Sequence, residues 1–380
     1  MALSKITTAS LADDSVTGAK IENNPTIAGN LTVSGGFIPS ESTSNRNLFI
    51  NGDMAIAQRT TPKASISDQT SGYYTGFPDR WAGWTNDIGT YTQSQETDAP
   101  AGFTKSLKLL MTTQNDSLEA GDYGVITQRI EGLNLQHLQW GTGTAKPLTL
   151  SFWVKGGTTG TYICEFLRDE GTDRSISASY TINTQGTWEK KIITIAGDTT
   201  TAITNDNVNR LAILWGFGEG SNFTSGTLST SWANRTTANT FVGQTNITGG
   251  TSASVNYIQL TGVQLEVGEV ATSFENESYE RNLARCQRYY QSWTNAGLSD
   301  GVYAVTPYAN RSSLTAPNTS ASNQFWLRTS MRGNPACVAS GTGTGFNRIT
   351  GNTELVVAQY SSTTEDNAMG FGGFTADAEL

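Results

Sequence analysis

The chain has 380 residues, enough to bury at least one sizeable core, and only 15% of them are charged. Its formal net charge of -9 excludes a phosphate-binding surface over most of the molecule, so we expect no nucleic-acid partner. The longest apolar runs have the length of strands, well below the about 20 residues that a membrane-spanning helix needs, and we expect no membrane insertion.

Residues 1–40 contain few large apolar side chains and cannot bury a core by themselves. Copies of this segment that pack against one another or against a partner would order it, and a flexible leader is the alternative. We predict an extended N-terminal attachment segment. Its candidate contact residues are Leu3, Ile6, Leu11, Val16 and Ile21.

Residues 41–275 are dense in segments that alternate apolar and polar side chains, such as "LTLSFWVKG", "KKIITIAG" and "VNYIQLTGVQLEV". Glycine-rich turn signals separate these segments, and no regular alternation of strands and helices is present. The pattern predicts a mainly β protein with a jelly-roll-like antiparallel sandwich.

Paired carboxylates are one route to catalysis, because cleavage of a glycosidic bond needs two acids. The segment "EFLRDEGTDRS" contains Glu165, Asp169, Glu170 and Asp173. A solvated acidic loop is the commoner reason for such a cluster. A Ca²⁺ site is an alternative, since Ca²⁺ accepts oxygen ligands from loops, but the fixed EF-hand spacing is absent. We predict no catalytic residue, no metal site and no cofactor.

The single histidine, His137, has no Cys or second His nearby to complete a transition-metal site. No nucleophile elbow, phosphate loop or dinucleotide fingerprint accompanies it, which favours a structural histidine. Cys164, Cys286 and Cys337 are too widely spaced for a disulfide framework, so we expect small buried apolar side chains in a chain folded in a reducing cytoplasm.

Residues 276–293 are the one convincing helix, and we predict that it connects two β domains. Tyr279, Leu283, Cys286 and Tyr290 recur at spacings of four, three and four, which draws a narrow stripe along one side. Such a stripe favours a coiled-coil-like seam between three subunits, with these residues as trimer contacts. A helix that lies on its own domain is the alternative.

Residues 294–380 become polar and strand-like again, which predicts a second, smaller β domain that is short for an independent core. Sugar rings stack on flat aromatic faces, while sugar hydroxyls bind nearby amides and carboxylates. Core packing is the alternative role for each aromatic residue. The candidate carbohydrate contacts are Trp293, Tyr303, Tyr308, Phe325 and Trp326.

Several segments resemble, in a fixed order, those of tail fibre proteins of tailed bacteriophages. They are "LADDSVTGAKI", "NLFINGDMAIAQR" followed by "FPDRW", "LSFWVKG", and "YIQLTGVQLEVGEVATSFE" running into "LARCQRYYQ". The resemblance covers about residues 1–293 well and the remainder in outline. It implies a homotrimer whose N-terminal segment joins a tail, nozzle or adaptor protein of the virion. It also implies a carbohydrate-binding-like sandwich in the middle and a C-terminal domain at the distal tip.

The resemblance therefore predicts a virion protein, assembled in the cytoplasm of the bacterial host, that adheres to the host surface by binding a polysaccharide or another receptor. A purely structural fibre on the tail or capsid, without a ligand of its own, is the first alternative. A polysaccharide depolymerase is the second, and the absence of β-helix-like repeats makes it the weaker one. We expect a binding protein and not an enzyme.

Overall fold

The computed structural model describes most of the chain from Ser44 onward. The described residues are 44–59, 61–67, 69–249, 255–294, 319–342, 346–362 and 371–379. Outside these ranges lie the candidate attachment contacts Leu3, Ile6, Leu11, Val16 and Ile21, and the candidate carbohydrate contacts Tyr303 and Tyr308.

Two antiparallel sheets packed face to face make the predicted β-sandwich, and strands are numbered in chain order. From edge to edge, the six-stranded sheet contains β1 (Lys63–Ile66), β4 (Gly89–Glu96), β5 (Ser106–Gln114), β13 (Tyr257–Val267), β7 (Leu148–Gly156) and β10 (Glu189–Ile195). The seven-stranded sheet contains β12 (Ala233–Asn234), β9 (Arg174–Ile182), β8 (Gly160–Arg168), β11 (Asn209–Glu219), β6 (Tyr123–Glu131), β3 (Ala82–Asn86) and β2 (Gln69–Tyr73).

The chain crosses between the two sheets repeatedly, as from β5 to β6, β6 to β7 and β7 to β8. All strand pairs in the described residues of both sheets are antiparallel. The prediction of a mainly β, jelly-roll-like antiparallel sandwich is therefore confirmed.

The core lies between the sheets and follows the period of two along each strand. On β7, Leu150, Phe152 and Val154 are all fully buried, and from the facing sheet Tyr162 and Phe166 are fully buried as well. Removing one such side chain from water stabilises the fold by roughly 1.5–3 kcal/mol. This packing fixes which residues of each sheet face outward.

Two three-stranded antiparallel sheets follow the sandwich. One contains β14 (Tyr290–Thr294), β19 (Phe371–Asp377) and β16 (Ala336–Thr342), and the other contains β15 (Thr319–Trp326), β18 (Leu355–Ser362) and β17 (Phe346–Gly351). Their buried apolar cluster is small and has Met331, Val356 and Phe374 as its larger members. Residues Thr43–Leu380 form one compact unit.

Ion pairs join the C-terminal residues to the sandwich. Arg59 bonds Asp377 at 3.0 Å and Glu379 at 3.2 Å, and Arg80 pairs with the same Glu379. The Arg80 guanidinium also lies 3.5 Å from the centroid of the Tyr289 ring. These contacts tie the last described residues of the chain to the sandwich.

The described residues contain two α-helices, the single turn α1 (Ser221–Thr224) and α2 (Tyr279–Gln287), and three short 3-10 turns. Ser278 caps α2, since its side chain accepts a hydrogen bond from the Arg281 backbone N–H. The prediction of a helix over 276–293 is too long, because Tyr290 already belongs to strand β14, where it pairs with Asp377.

The apolar stripe on α2 is covered by the chain itself. Cys286 is fully buried and packs with Ile50, Ile56 and Tyr289, while Leu283 is partly buried against the same cluster. Tyr290 is only 8% exposed, and of the four stripe residues Tyr279 alone is exposed.

The expectation that Leu283, Cys286 and Tyr290 lack cover within one subunit is therefore wrong, because the N-terminal residues of the sandwich supply that cover. These three side chains are not available as a seam between subunits. The trimer remains a prediction that rests on the resemblance.

Candidate functional site

A pocket of about 490 Å³ lies on the outer face of the seven-stranded sheet. Its floor comes from side chains that the strand period turns away from the core, including Val125 on β6 and Leu214 on β11. Trp84 on β3 is the cross-strand partner of Val125, so the two lie side by side on this face.

Aromatic side chains form the walls of the pocket. Trp84 and Tyr123 come from the sheet, whereas Phe223 on α1 and Phe241 come from the segment 220–249, which folds over the same face. The ring centroids of Tyr123 and Phe223 are 5.5 Å apart. The segment 220–249 thereby turns an open sheet face into a pocket.

Two polar atoms on the pocket wall are buried without a hydrogen-bonding partner among the described residues. They are the donor Nε1 of Trp84 and the acceptor Oδ1 of Asn209. Leaving such a group unpaired costs about 1–3 kcal/mol. Both atoms are closed to solvent, so the polar groups of the lining that a ligand can reach include the exposed carboxylates of Asp169 and Asp173.

Burial also changes the electrostatics of the pocket. The guanidinium of Arg129 lies 4.0 Å from the centroid of the Trp84 ring, and burial lowers the pKa of Arg129 below its ordinary value. Burial likewise raises the pKa of Tyr123. Hydrogen bonds formed in such a low-dielectric environment are stronger than in water.

The structure separates the acidic residues of the segment "EFLRDEGTDRS": one is buried, and two line the rim of this pocket. Glu165 is fully buried on β8 and pairs in bidentate fashion with Arg235, at 2.7 and 3.0 Å. The explanation of a solvated acidic loop is therefore wrong for Glu165, because the strand buries it. Asp169 and Asp173 are exposed and line the pocket.

Glu170 belongs to a separate network and bonds the Thr204 hydroxyl at 2.8 Å. In the described part of the chain, no group of three or more His, Cys, Asp or Glu residues is arranged to hold a metal ion. The same part contains no helix that is long and apolar enough to cross a membrane.

The predicted aromatic contacts lie elsewhere. Trp293 is on β14, whereas Phe325 and Trp326 are on β15, in the other small sheet. Trp326 is 71% exposed. Trp326 does not line the pocket of about 490 Å³.

The residues that do form the aromatic walls, Trp84, Tyr123, Phe223 and Phe241, were missed by the sequence-based prediction. They are separated by long stretches of chain, and only the register of β3 against β6 brings the first two together. The alternation in "WAGWTN" is a local signal that Trp84 points to the opposite face from its neighbours.

No protein-family model matches the chain, and no curated protein matches its sequence. The solved structures to which the chain is similar include carbohydrate-binding modules. One is the family 11 module from Clostridium thermocellum in complex with a β-1,3-1,4-mixed-linked tetrasaccharide. It is 10% identical with a TM-score of 0.27, over 56% of this chain and 99% of that one.

Two further similar structures belong to the same broad class. A CBM4 structure is 14% identical with a TM-score of 0.28, over 57% of this chain and 97% of that one. The C-terminal family 22 carbohydrate-binding module of Clostridium thermocellum Xyn10B is 12% identical with a TM-score of 0.25, over 55% and 99% of the two chains. At these values the similarities do not assign a ligand to this chain.

Proposed function

We propose that this chain binds a glycan, without cleaving it, in the pocket on the outer face of the seven-stranded sheet. The observation that carries the proposal is the lining of the pocket, in which the aromatic side chains of Trp84, Tyr123, Phe223 and Phe241 stand beside the exposed carboxylates of Asp169 and Asp173. Aromatic faces pack on the apolar faces of sugar rings, and sugar hydroxyls both donate and accept hydrogen bonds. Carbohydrate-binding modules have similar folds, which agrees with this proposal without establishing it.

We further propose that the protein is a tail fibre of a tailed bacteriophage that adheres to a surface polysaccharide of its host. The support is the ordered series of segments from "LADDSVTGAKI" to "LARCQRYYQ". Trimers repeated around a tail would gain avidity, so that weak individual sites would still hold the particle. Analytical ultracentrifugation of the full chain tests the trimer, and a monomer of 40.7 kDa at micromolar concentration would contradict it.

The glycan proposal is tested by isothermal titration with a panel of neutral and acidic oligosaccharides, using the full chain. We expect Trp84→Ala to weaken binding about 2- to 12-fold, since aromatic contacts contribute about 0.5–1.5 kcal/mol each. Trp153→Ala is the matched control, because Trp153 lies on the outer face of the other sheet. Equal affinities of wild type and Trp84→Ala would contradict the proposal, as would a wild type that binds no member of the panel.

Polysaccharide cleavage is the second candidate, favoured by the two carboxylates of Asp169 and Asp173 on the pocket rim. It predicts new reducing ends when the protein is incubated with a bound polysaccharide. It also predicts that Asp169→Asn or Asp173→Asn abolishes their formation while binding persists.

A further inference from the structure

A second cavity of about 300 Å³ lies beside α2 and is lined by three arginines, Arg281, Arg285 and Arg288. Their spacing of four and three residues places them on one side of the helix. The exposed His137 also lines this cavity, and its described lining contains no acidic side chain. In a chain of net charge -9, three arginines meet here with two paired glutamates, Glu277 and Glu131, which leaves an excess of one positive charge in this arginine pocket.

Ion pairs hold all three guanidinium groups, and Arg281 pairs with Glu277 at 3.3 Å. Arg285 donates to Glu277 at 2.8 Å and to the backbone oxygen of Phe49 at 3.2 Å. Arg288 makes a bidentate pair with Glu131, at 2.8 and 3.3 Å. A guanidinium has five N–H donors, so each group keeps donors beyond those that these contacts use.

The position of the acids matters, because Glu131 and Glu277 lie outside the lining of the cavity. Their ion pairs hold the arginine side chains in place. Fixed guanidinium groups recognise carboxylate and phosphate oxygens with little loss of side-chain entropy on binding. Arg281 is the most accessible of the three, with 55% of its side chain exposed.

The arginine pocket is joined to the aromatic pocket through one cross-strand pair. Asn209 on β11 lines the aromatic pocket and lies opposite Glu131 on β6. Side chains in such a pair have Cβ atoms about 4.5–5.5 Å apart. Glu131 in turn holds Arg288 and accepts a hydrogen bond from the Tyr289 hydroxyl at 2.5 Å, and both of these residues line the arginine pocket.

We infer that the arginine pocket binds an oxyanion, either a carboxylate or a phosphate, carried by the glycan that occupies the aromatic pocket. The substrate class is therefore an acidic polysaccharide. The link to a glycan rests on the proposed function, whereas oxyanion binding by the arginines does not.

Three small probes test the oxyanion site by NMR titration: galacturonate, galactose and inorganic phosphate. Galacturonate and galactose differ only at C6, so their comparison isolates the carboxylate, and phosphate tests the other source of the charge. We expect binding of at least one anion that weakens as salt is added, and no binding of galactose at the arginine resonances. Arg281→Gln should weaken anion binding about tenfold, since a charge-assisted hydrogen bond contributes about 1.5–3 kcal/mol.

Lys190→Gln is the matched control, because it removes one exposed positive charge from the six-stranded sheet, away from the pocket. We expect its anion affinity to equal that of the wild type. Arg285→Gln is a second variant, and Arg281→Gln decides the test should Arg285→Gln fail to fold. Failure of both anions to bind, or equal anion affinities of Arg281→Gln and Lys190→Gln, would overturn the oxyanion site.

Longer ligands separate this inference from the proposed function. We expect oligogalacturonate or a phosphate-bearing oligosaccharide to bind more tightly than a neutral oligosaccharide of equal length, and Arg281→Gln to abolish the difference. If neutral and acidic oligosaccharides bind equally and Trp84→Ala weakens both, the glycan proposal stands and the acidic class is wrong. If Trp84→Ala has no effect while Arg281→Gln weakens anion binding, the oxyanion site stands, the glycan link fails, and the assignment of an acidic polysaccharide fails with it.

Discussion

The outer faces of the two sheets differ in how much water reaches their polar groups. On the six-stranded sheet, Lys155 pairs with Asp98 at 2.7 Å, and 48% of the Asp98 side chain is exposed. On the seven-stranded sheet, Glu165 is fully buried beneath Arg235. Both faces carry aromatic residues, since Tyr257 lies 4.8 Å from the Lys108 ammonium on the first face.

The comparison teaches that aromatic content does not locate a binding site by itself. On the six-stranded side, Trp188 Nε1 donates to Asp98 at 3.2 Å, whereas Trp84 Nε1 on the other face is buried without a partner in the described part of the chain. The segment 220–249 makes the difference, because its side chains Phe223, Leu228 and Phe241 pack on part of this face. Electrostatic interactions should therefore contribute much on the covered face and little on the open one.

Glu165→Ala should give the largest effect. It leaves Arg235 largely buried, with 20% of its side chain exposed and no carboxylate partner, so we expect unfolding free energy to fall by about 3 kcal/mol. Glu165→Gln keeps one hydrogen-bond acceptor and should lower the free energy of unfolding by less. Urea denaturation measures both, and a loss below about 0.5 kcal/mol for Glu165→Ala would remove the contrast between the faces.

Glu219 should give an intermediate, pH-dependent effect at the edge of the covered face. Burial raises its pKa from 4.5 to about 8, only partly offset by hydrogen bonds from backbone N–H groups such as that of Phe217. The folded state therefore keeps a proton that the unfolded state has lost, so stability falls as pH rises from 4.5 through 8. We expect the free energy of unfolding to fall by about 2 kcal/mol between about pH 6 and 8.

Glu219→Gln mimics the protonated side chain and should flatten this dependence. The measurement is chemical denaturation at several pH values, with wild type and variant compared at each. A wild-type stability that rises over the same range, or an unchanged slope in Glu219→Gln, would show that Glu219 is not buried as described.

Asp98→Asn should give the smallest effect, on the open face. The hydrogen bond from Lys155 is the main cause of the lowered pKa of Asp98, so this ion pair contributes above about pH 4 and is lost as pH falls. Because solvent screens this ion pair, we expect Asp98→Asn to lower the free energy of unfolding by about 0.5 kcal/mol. If Asp98→Asn lowered the free energy of unfolding as much as Glu165→Ala does, the two faces would not differ in solvent access.

The architecture could be predicted from local patterns because strand formation and burial obey the same period. Segments such as "LTLSFWVKG" showed the alternation, and the inward residues Leu150 and Phe152 are fully buried. The sequence also showed the apolar stripe of the predicted helix, but the spacing of its residues does not indicate which part of the molecule packs against them. Only the folded chain shows that Ile50 and Ile56 cover Cys286, and that Tyr290 leaves the helix for a strand.

The pocket could not be predicted in the same way. Its residues come from several strands and from segment 220–249, and only the pairing register of the strands brings them together. The sequence by itself determined a β-sandwich rich in turns and aromatic residues, acidic overall and with one short helix. The tertiary structure decided which outward face is covered by segment 220–249, which carboxylate lies beneath Arg235, and which arginines open onto a cavity. The physical reason is that alternation acts between neighbours along the chain, whereas a pocket depends on contacts between residues far apart in sequence.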